Sequence, residues 1–195
     1  MKHFKFGGST AARTIKCPSW TDEAAKNPQR GGSSPAAAEG TVLHGIMEKL
    51  IEDGAILPAD FYGTTNTVDG HTILIDQDHL ERLNMALDAY LELDGKYKFD
   101  DVLIEAEFSL TDHIGGTCDI LAYNATHVIV LDWKFGQGIA VDPVENAQGM
   151  FYAMCAEQTL PDLFKGKQIV IAIVQPMPSR HDFGTLKTWE VPAKH

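Results

Sequence analysis

Two short apolar runs rich in β-branched residues constrain the fold more than any other feature of this chain. Residues 128–131 are Val-Ile-Val-Leu, and residues 168–175 are Gln-Ile-Val-Ile-Ala-Ile-Val-Gln. Short runs dominated by Val and Ile predict strands rather than helices. The second run shows no polar alternation, so we expect a strand that is buried on both faces, in a sheet with helices on either side.

The remaining hydrophobic pattern predicts three helices and further strands. The first helix is expected to run from an N-cap at Thr41 to a stop at Gly54, the second over about 78–93 and the third over about 144–158. This order of elements predicts an α/β fold with a mixed central β-sheet flanked by helices. The five predicted strands cover residues 102–110, 115–123, 128–131, 168–175 and 186–191.

The chain length predicts one domain spanning residues 1–195, with a flexible loop at about 26–38 where Gly, Ser, Pro and Ala predominate. No apolar run approaches the roughly 20 residues of a membrane helix, and the N-terminus lacks the apolar stretch of a signal peptide. The three cysteines are odd in number and unpatterned, which indicates a reducing compartment. We therefore expect a cytoplasmic protein without membrane association.

The net charge of −11 is unfavourable for binding nucleic acid, because it slows encounter with polyanions and weakens non-specific binding. It does not exclude such binding, since metal ions and a local basic patch can offset the field. The candidate patch residues are Lys2, Lys5, Arg13, Lys16, Arg30, Lys165, Lys167, Arg180 and Lys187.

Three charged residues lie at the ends of two neighbouring predicted strands. Asp132 follows the apolar run 128–131, and Lys134 projects to the same face because strand side chains alternate. Asp119 lies on the preceding strand, which a short loop at 124–126 joins to the next. Neighbouring strands lie about 4.8 Å apart, so these groups can converge on one divalent cation. The pattern suggests metal-assisted phosphodiester chemistry.

A simpler interpretation exists for each of these groups. Asp119 can be a turn residue, and Asp132 can form a surface ion pair with Lys134 that contributes under about 1 kcal/mol. A carboxylate that ends a buried strand is costly, however, and cation coordination offsets that cost. Gly136 and Gly138 would allow a phosphate or a backbone segment to approach closely.

Two pairs of polar residues lie four positions apart on predicted helices and so share a helix face. His44 and Glu48 form the first pair, and Gln148 and Tyr152 form the second. Each of these residues also has an interpretation without a functional role. His44 can be a core histidine and Glu48 a solvated charge, whereas Gln148 can be an amide cap and Tyr152 a core aromatic residue.

Glu105 and Glu107 alternate with apolar residues on the strand 102–110, so we expect both on one face. Either can be an extra acidic ligand or an exposed strand residue. The opposite face is expected to carry Val102, Ile104, Ala106, Phe108 and Leu110.

Four of these motifs occur in an order that resembles RecB-like nucleases of the PD-(D/E)XK superfamily, and most closely a phage-borne family of otherwise unknown function. The segment from Ser9 to Ser19, with its Cys-Pro pair, resembles the opening of the phage-borne members. The resemblance covers about residues 7–192 and implies a restriction-endonuclease-like core. The motifs are Gly40-Thr41-x-x-His44, Gly116-Thr117-x-Asp119, Asp132-Trp133-Lys134 with Gly136 and Gly138, and Gln148-x-x-x-Tyr152.

The resemblance implies a divalent-metal-dependent DNA nuclease, with exonuclease action as the expectation. Its metal ligands for Mg²⁺ or Mn²⁺ would be His44, Asp119, Asp132 and the Trp133 carbonyl, and Lys134 would orient or activate the attacking water. Gln148 and Tyr152 would position the nucleic-acid backbone or the lysine. The implied partners are single- or double-stranded DNA and a recombination or replication protein, in the bacterial host cytoplasm if a phage encodes the chain.

One departure from the resembling group concerns cysteine. Its iron-sulfur members carry four cysteines, whereas only Cys17 occupies a matching place here, so we expect no cluster. The main alternative function is a catalytically silent nuclease-fold module that binds DNA or a protein partner. The acidic charge favours that alternative, and the intact set of candidate site residues argues against it. A structural metal-binding protein is a third option. Because the chain ends soon after the last predicted strand, we also expect that it can be a short form or a fragment.

Overall fold

The computed structural model describes residues 4–26, 33–136, 139–177 and 184–192. Its strands are β1 (Thr65–Val68), β2 (His71–Leu74), β3 (Asp101–Thr111), β4 (Ile114–Tyr123), β5 (His127–Trp133), β6 (Gln168–Val174) and β7 (Leu186–Glu190). Its helices are α1 (Ala11–Lys16), α2 (Trp20–Lys26), α3 (Pro35–Glu52), α4 (Gln77–Tyr97), α5 (Ala147–Thr159) and α6 (Pro161–Phe164), with 3₁₀ turns at Gly8–Thr10 and Pro58–Phe61.

The central sheet has five strands in the order β3-β4-β5-β6-β7. Strands β5 and β6 are parallel, and the other neighbouring pairs are antiparallel. A parallel pair needs a long crossover, and α5 with α6 forms it between β5 and β6. Strands β1 and β2 form a separate antiparallel pair. The predicted α/β fold with a mixed sheet flanked by helices is confirmed.

Both faces of the central sheet are buried. Ile129 and Leu131 of β5 face the core layer formed with α3 and α4, whereas Val128 and Val130 face the layer under α5 and α6. Residues of β6 alternate between the same two layers, which confirms its predicted burial on both faces. The uninterrupted apolar runs of the sequence follow from this arrangement, because each side chain enters one core or the other.

The side chains of β3 exchange the two faces of the sheet at Glu105. Val102 and Ile104 pack in the layer of α3 and α4, whereas Ala106 and Phe108 pack in the opposite layer. The predicted common face for all these residues, and with it a common face for Glu105 and Glu107, is therefore wrong. The cause is the backbone of Glu105, whose φ of +47° lies outside the extended region and breaks the two-residue alternation.

The first predicted helix starts earlier than its sequence signals indicated. Helix α3 begins at Pro35, and the side chain of its N-cap Ser34 accepts the Ala37 N–H. The residues 35–38 of the predicted loop are therefore helical, whereas 27–32 lie outside the described residues. Thr41 is not the N-cap, because its hydroxyl donates to the Ala37 carbonyl within the helix. A Ser-Pro pair is itself a helix-start signal, which the Gly- and Ala-rich context obscured.

The other helices keep their predicted positions with shifted ends. Helix α4 extends four residues beyond the predicted end, to Tyr97, and Asp76 caps its start. Helix α5 starts at Ala147, after the cap Asn146, rather than at 144. Sequence patterns missed α1, α2, α6 and the β1–β2 hairpin, which are short. No described helix combines the length and hydropathy needed to cross a membrane.

Candidate metal centre

Most predicted site residues converge on one cavity of about 690 Å³. It lies where β4 and β5 separate beneath α3 and α5. Glu48 and Glu107 do not line it, and Gly138 lies outside the described residues. The predicted residues in its lining are His44, Glu105, Asp119, Asp132, Trp133, Lys134, Gln148 and Tyr152.

The side chain of Asp119 takes the place of a backbone hydrogen-bond acceptor at the point where β4 and β5 separate. The paired residues of these strands end at Ile120 and Leu131, and the same register places Asp119 opposite Asp132. The Oδ2 atom of Asp119 accepts the Trp133 N–H at 2.7 Å. The other oxygen, Oδ1, lies 3.6 Å from Nδ1 of His44. The separation of the strands therefore leaves a carboxylate oxygen directed into the cavity.

Three side chains offer ligand atoms close enough to share one cation. One atom each from His44, Glu105 and Asp119 lies within 4.8 Å of the other two. Glu105 lies on β3 between Ile104 and Ala106, whose partners on β4 are Ile120 and Cys118, the two neighbours of Asp119. Its positive φ accompanies its approach to His44. Such a backbone conformation costs of order 1–3 kcal/mol and is concentrated at functional sites. One imidazole and two carboxylates suit Mn²⁺ and Mg²⁺.

Asp132 lies beside this triad, in a polar network with residues of α5. Its Oδ1 accepts a hydrogen bond from Nε2 of Gln148 at 2.9 Å, and its Oδ2 lies 2.5 Å from Nζ of Lys134. Lys134 in turn donates to Oε1 of Gln148 at 2.9 Å. Nε2 of Gln148 also lies 3.2 Å from the Tyr152 hydroxyl. The amide of Gln148 is thus fixed in one orientation, with Lys134 held at the cavity wall.

Helix α5 reaches this network because glycine lets it lie close to the sheet. A Cβ atom at Gly149 would come within 2.5 Å of Cγ2 of Ile171 on β6. The side chain of Asn146 accepts the Gly149 N–H at 2.9 Å and starts the helix two residues before Gln148. Gln148 therefore projects from the first turn of α5 towards Asp132.

The cavity carries excess negative charge. Burial and the charge of Asp119 raise the pKa of Glu105 to about 7. Burial and Asp119 also raise the pKa of Asp132, against the opposing effect of Lys134. For His44, burial lowers the pKa, but contact with Asp119 and the charges of Asp132 and Glu105 outweigh it and raise the pKa overall. Each of these pKa shifts favours the protonated form of the group. A bound cation would relieve the repulsion between the carboxylates in the same way as a proton.

One buried oxygen of this cluster has no hydrogen bond among the described residues. It is Oδ2 of Asp132, whose residue is only 3% exposed. Its close neighbour is the Lys134 ammonium. A buried acceptor with this single contact retains a lone pair for a further donor or a cation. The donor set therefore fits a divalent ion.

Glu48 and Glu107 take different positions from the triad. Glu48 is half-buried on α3, one turn after His44, and its charge adds to the raised pKa of Glu105. Glu107 is exposed on β3 beyond the change of facing. Of the two predicted extra acids on this strand, only Glu105 reaches the cluster.

The N-terminal segment forms a wall of the cavity that sequence patterns did not assign to the site. The Phe6 N–H donates to the His113 carbonyl, and the Gly115 N–H donates to the Phe6 carbonyl. Gly8 packs against the ring of Tyr152, where a Cβ atom would lie 2.3 Å from Cε1. The Gly7-Gly8 pair was the available sequence signal, since paired glycines often mark a close approach of backbone.

The candidate basic-patch residues that the structure describes do not line the cavity. The basic side chains in its described lining are His44 and Lys134. Lys5 pairs with Asp22, and Arg13 stacks on Trp20. The patch residues Lys2, Arg30 and Arg180 lie outside the described residues.

Residues 3–194 match the model of a family described as "Protein of unknown function (DUF2800)". The match covers nearly the whole chain, and the chain belongs to this family.

Proposed function

We propose that this member of the DUF2800 family is a divalent-metal-dependent deoxyribonuclease that hydrolyses phosphodiester bonds, with exonuclease action as its expected mode. The observation that carries the proposal is the convergence of His44, Glu105 and Asp119 within 4.8 Å of one another, beside a buried carboxylate and a lysine. The order of motifs that resembles RecB-like nucleases of the PD-(D/E)XK superfamily supports the same conclusion.

The proposed ligands of Mg²⁺ or Mn²⁺ are His44, Glu105 and Asp119, with Asp132 and the Trp133 carbonyl as further candidates. When bound, such a cation lowers the pKa of a coordinated water and neutralises charge that develops on the phosphate oxygens. Glu105, which the sequence offered as a possible extra acidic ligand, joins the set implied by the family resemblance in this proposal because of its proximity to His44 and Asp119.

Lys134 is proposed to act on the water rather than on the metal. An ammonium group donates hydrogen bonds and has no lone pair for coordination. Asp132 and Gln148 hold Nζ at 2.5 and 2.9 Å, so its remaining donor capacity faces the cavity. This position suits orientation of an attacking water or stabilisation of negative charge on a phosphate oxygen.

DNA is the proposed substrate, and the cation is expected to provide much of its binding. Two basic side chains in the described lining face three carboxylates, so the metal-free cavity repels phosphate. The proposed location is the cytoplasm, where a recombination or replication protein would be a candidate partner.

The second candidate function is a silent module that binds DNA or a protein without cleavage. The net charge of −11 and the scarcity of basic residues in the described lining favour it. The arrangement of Lys134 and the carboxylates argues against it, because binding alone does not require that geometry.

The test is cleavage of end-labelled linear single- and double-stranded DNA by the full chain with Mn²⁺, Mg²⁺ or EDTA. We expect mononucleotide or short products that accumulate with Mn²⁺ and disappear with EDTA. Asp119→Asn serves as the matched negative control from the same preparation. Binding of DNA without cleavage in any metal would support the silent module, and equal cleavage by Asp119→Asn would indicate a contaminating nuclease.

A further inference from the structure

Arg82 on α4 is a buried cation outside the cavity. Its residue is 1% exposed in the core layer formed with α3, where an unpaired charge is strongly unfavourable. Its Nη2 donates to Oε1 of Glu39 on α3, and its Nε lies 3.3 Å from Oδ2 of Asp78 on the preceding turn. Its Nη1 donates to the Phe135 carbonyl at 3.1 Å. One guanidinium thus contacts three segments of the chain.

The contact with Phe135 connects Arg82 to the candidate site. The Lys134 N–H donates to the Val174 carbonyl at 2.8 Å, and Arg82 holds the carbonyl of the next residue. The Phe135 ring packs edge-on against His44, with ring centroids 5.5 Å apart. The segment that carries Lys134 is therefore held between β6 and Arg82.

The contact of Arg82 with Glu39 connects it to the same site through α3, the helix that carries His44. Glu39 lies five residues before His44 on α3, and neither Glu39 nor Arg82 lines the cavity. We propose that Arg82 is a positioning residue that fixes the separation between His44 on α3 and the Asp132–Lys134 end of β5. The inference rests on the proposed function, because it takes His44 as a metal ligand and Lys134 as a participant in hydrolysis.

The planar guanidinium suits this role better than other side chains of similar size. Its fork donates to a carbonyl and a carboxylate in different directions, whereas lysine offers a compact point charge. Methionine fills a comparable volume without any donor. Removal of one partner is strongly destabilising when the other partner stays buried, but the side chains of Glu39 and Asp78 are 31% and 55% exposed and remain accessible to water. A role in stability alone and a role in positioning therefore predict different results for substitution.

The experiment compares Arg82→Met and Arg82→Lys with Leu93→Ala, a matched variant at another fully buried position of α4. Thermal unfolding, Mn²⁺ affinity by calorimetry, and kcat and KM for DNA cleavage are measured at a temperature where every variant is folded. We expect Arg82→Met to lower Mn²⁺ affinity and kcat about 10- to 100-fold, with KM for DNA changed less. Arg82→Lys should recover only part of this loss.

Leu93→Ala should lower Tm while its Mn²⁺ affinity and kcat stay within about twofold of wild type, because the apolar side chain of Leu93 does not line the cavity and donates no hydrogen bond to the segment of Lys134. If Arg82→Met fails to fold, the half-buried Glu39→Gln tests the same contact, with an expected loss of about tenfold in Mn²⁺ affinity or kcat.

Wild-type Mn²⁺ affinity and kcat in the folded Arg82 or Glu39 variant would overturn this inference alone. Losses in Leu93→Ala as large as those in Arg82→Met would overturn it too, because they would reflect stability. Absence of Mn²⁺ binding by the wild type would overturn the proposed function and this inference together.

Discussion

At the residue scale, Glu105 combines two costly features in one side chain. Its backbone has a positive φ, and its carboxyl group lies near Asp119 in a partly buried cavity, which raises its pKa to about 7. The surrounding structure must stabilise both features. Backbone strain and a shifted pKa both occur more often at functional sites than elsewhere, and here both occur in one residue beside His44.

The raised pKa of Glu105 predicts how stability of the metal-free protein varies with pH. The folded state binds this proton more tightly than the unfolded chain, whose ordinary value is 4.5. The stabilisation is therefore complete below pH 4.5 and is lost as pH rises through about 7. We expect Glu105→Gln to match wild-type Tm near pH 4.5 and to exceed it at pH 8 in EDTA, as measured by circular dichroism.

Glu107→Gln, at an exposed position of the same strand, is the control for that series. Its Tm difference from wild type should show no comparable change between the two pH values. A Tm advantage of Glu105→Gln that is constant with pH would contradict the assigned cause.

The separate positions of Lys134 and His44 predict separable defects. Lys134→Ala should lose about 10²- to 10⁴-fold in kcat, the range for groups that act on protons or charge, while its Mn²⁺ affinity stays close to wild type. His44→Ala should lose Mn²⁺ affinity, because imidazole is a good ligand for this ion. Calorimetric titration and single-turnover cleavage test both variants.

Equal Mn²⁺ affinity in His44→Ala and wild type would remove His44 from the ligand set. A large loss of Mn²⁺ affinity in Lys134→Ala would show that the lysine acts through the arrangement of the carboxylates.

At the element scale, the site depends on the way secondary structures meet. Strands β4 and β5 part at Asp119, α5 lies close over β6 at Gly149, and the N-terminal segment packs on Tyr152 through Gly8. The cavity therefore exists only when segments from the beginning, the middle and the last third of the chain are assembled.

The close contact at Gly8 predicts a loss of stability on addition of one methyl group. Gly8→Ala would place Cβ 2.3 Å from the Tyr152 ring, and such overpacking costs about 1–3 kcal/mol. Gly45→Ala is the control, because its added Cβ on α3 would have no atom within 4 Å apart from its chain neighbours and the nearby helix backbone; it should raise stability by about 0.5–1 kcal/mol. Urea unfolding of both variants measures these differences, and equal stability of Gly8→Ala and wild type would show that the N-terminal segment moves aside.

At the scale of the whole molecule, charge governs how a nucleic acid would approach. The net charge of −11 acts against a polyanion at long range, and three carboxylates in the cavity add local repulsion. A divalent ion bound to His44, Glu105 and Asp119 would remove much of the local repulsion of the nucleic acid.

We therefore predict that DNA binding by Lys134→Ala depends on a divalent ion. Ca²⁺ prefers oxygen ligands and is expected to strengthen binding without cleavage, whereas EDTA should weaken it. The dependence on monovalent salt should be shallow, because few basic groups release counterions from phosphate. Fluorescence anisotropy over a salt series with Ca²⁺ or EDTA is the measurement. Tight binding in EDTA with a steep salt slope would contradict this view and indicate a basic surface elsewhere.

Local patterns in the sequence were sufficient to predict the central sheet and much of the polar cluster. The runs 128–131 and 168–175 could only be satisfied by strands with apolar layers on both sides, and the structure has them. The change to Asp132 and Lys134 directly after a buried strand located one end of the cavity. Local signals were sufficient there, because burial and alternation act on neighbouring residues.

Which acidic residues reach His44 depends on long-range packing and could not be predicted from local patterns. Alternation gave Glu105 and Glu107 the same face, but the positive φ of Glu105 turns the strand and leaves Glu107 exposed. A positive φ is locally unfavourable for a glutamate, so the rest of the fold must stabilise it. The contact of the N-terminal segment with Tyr152 and the link from Arg82 to Phe135 also depend on other elements. Such contacts join residues far apart in sequence, so no periodicity within a single segment encodes them.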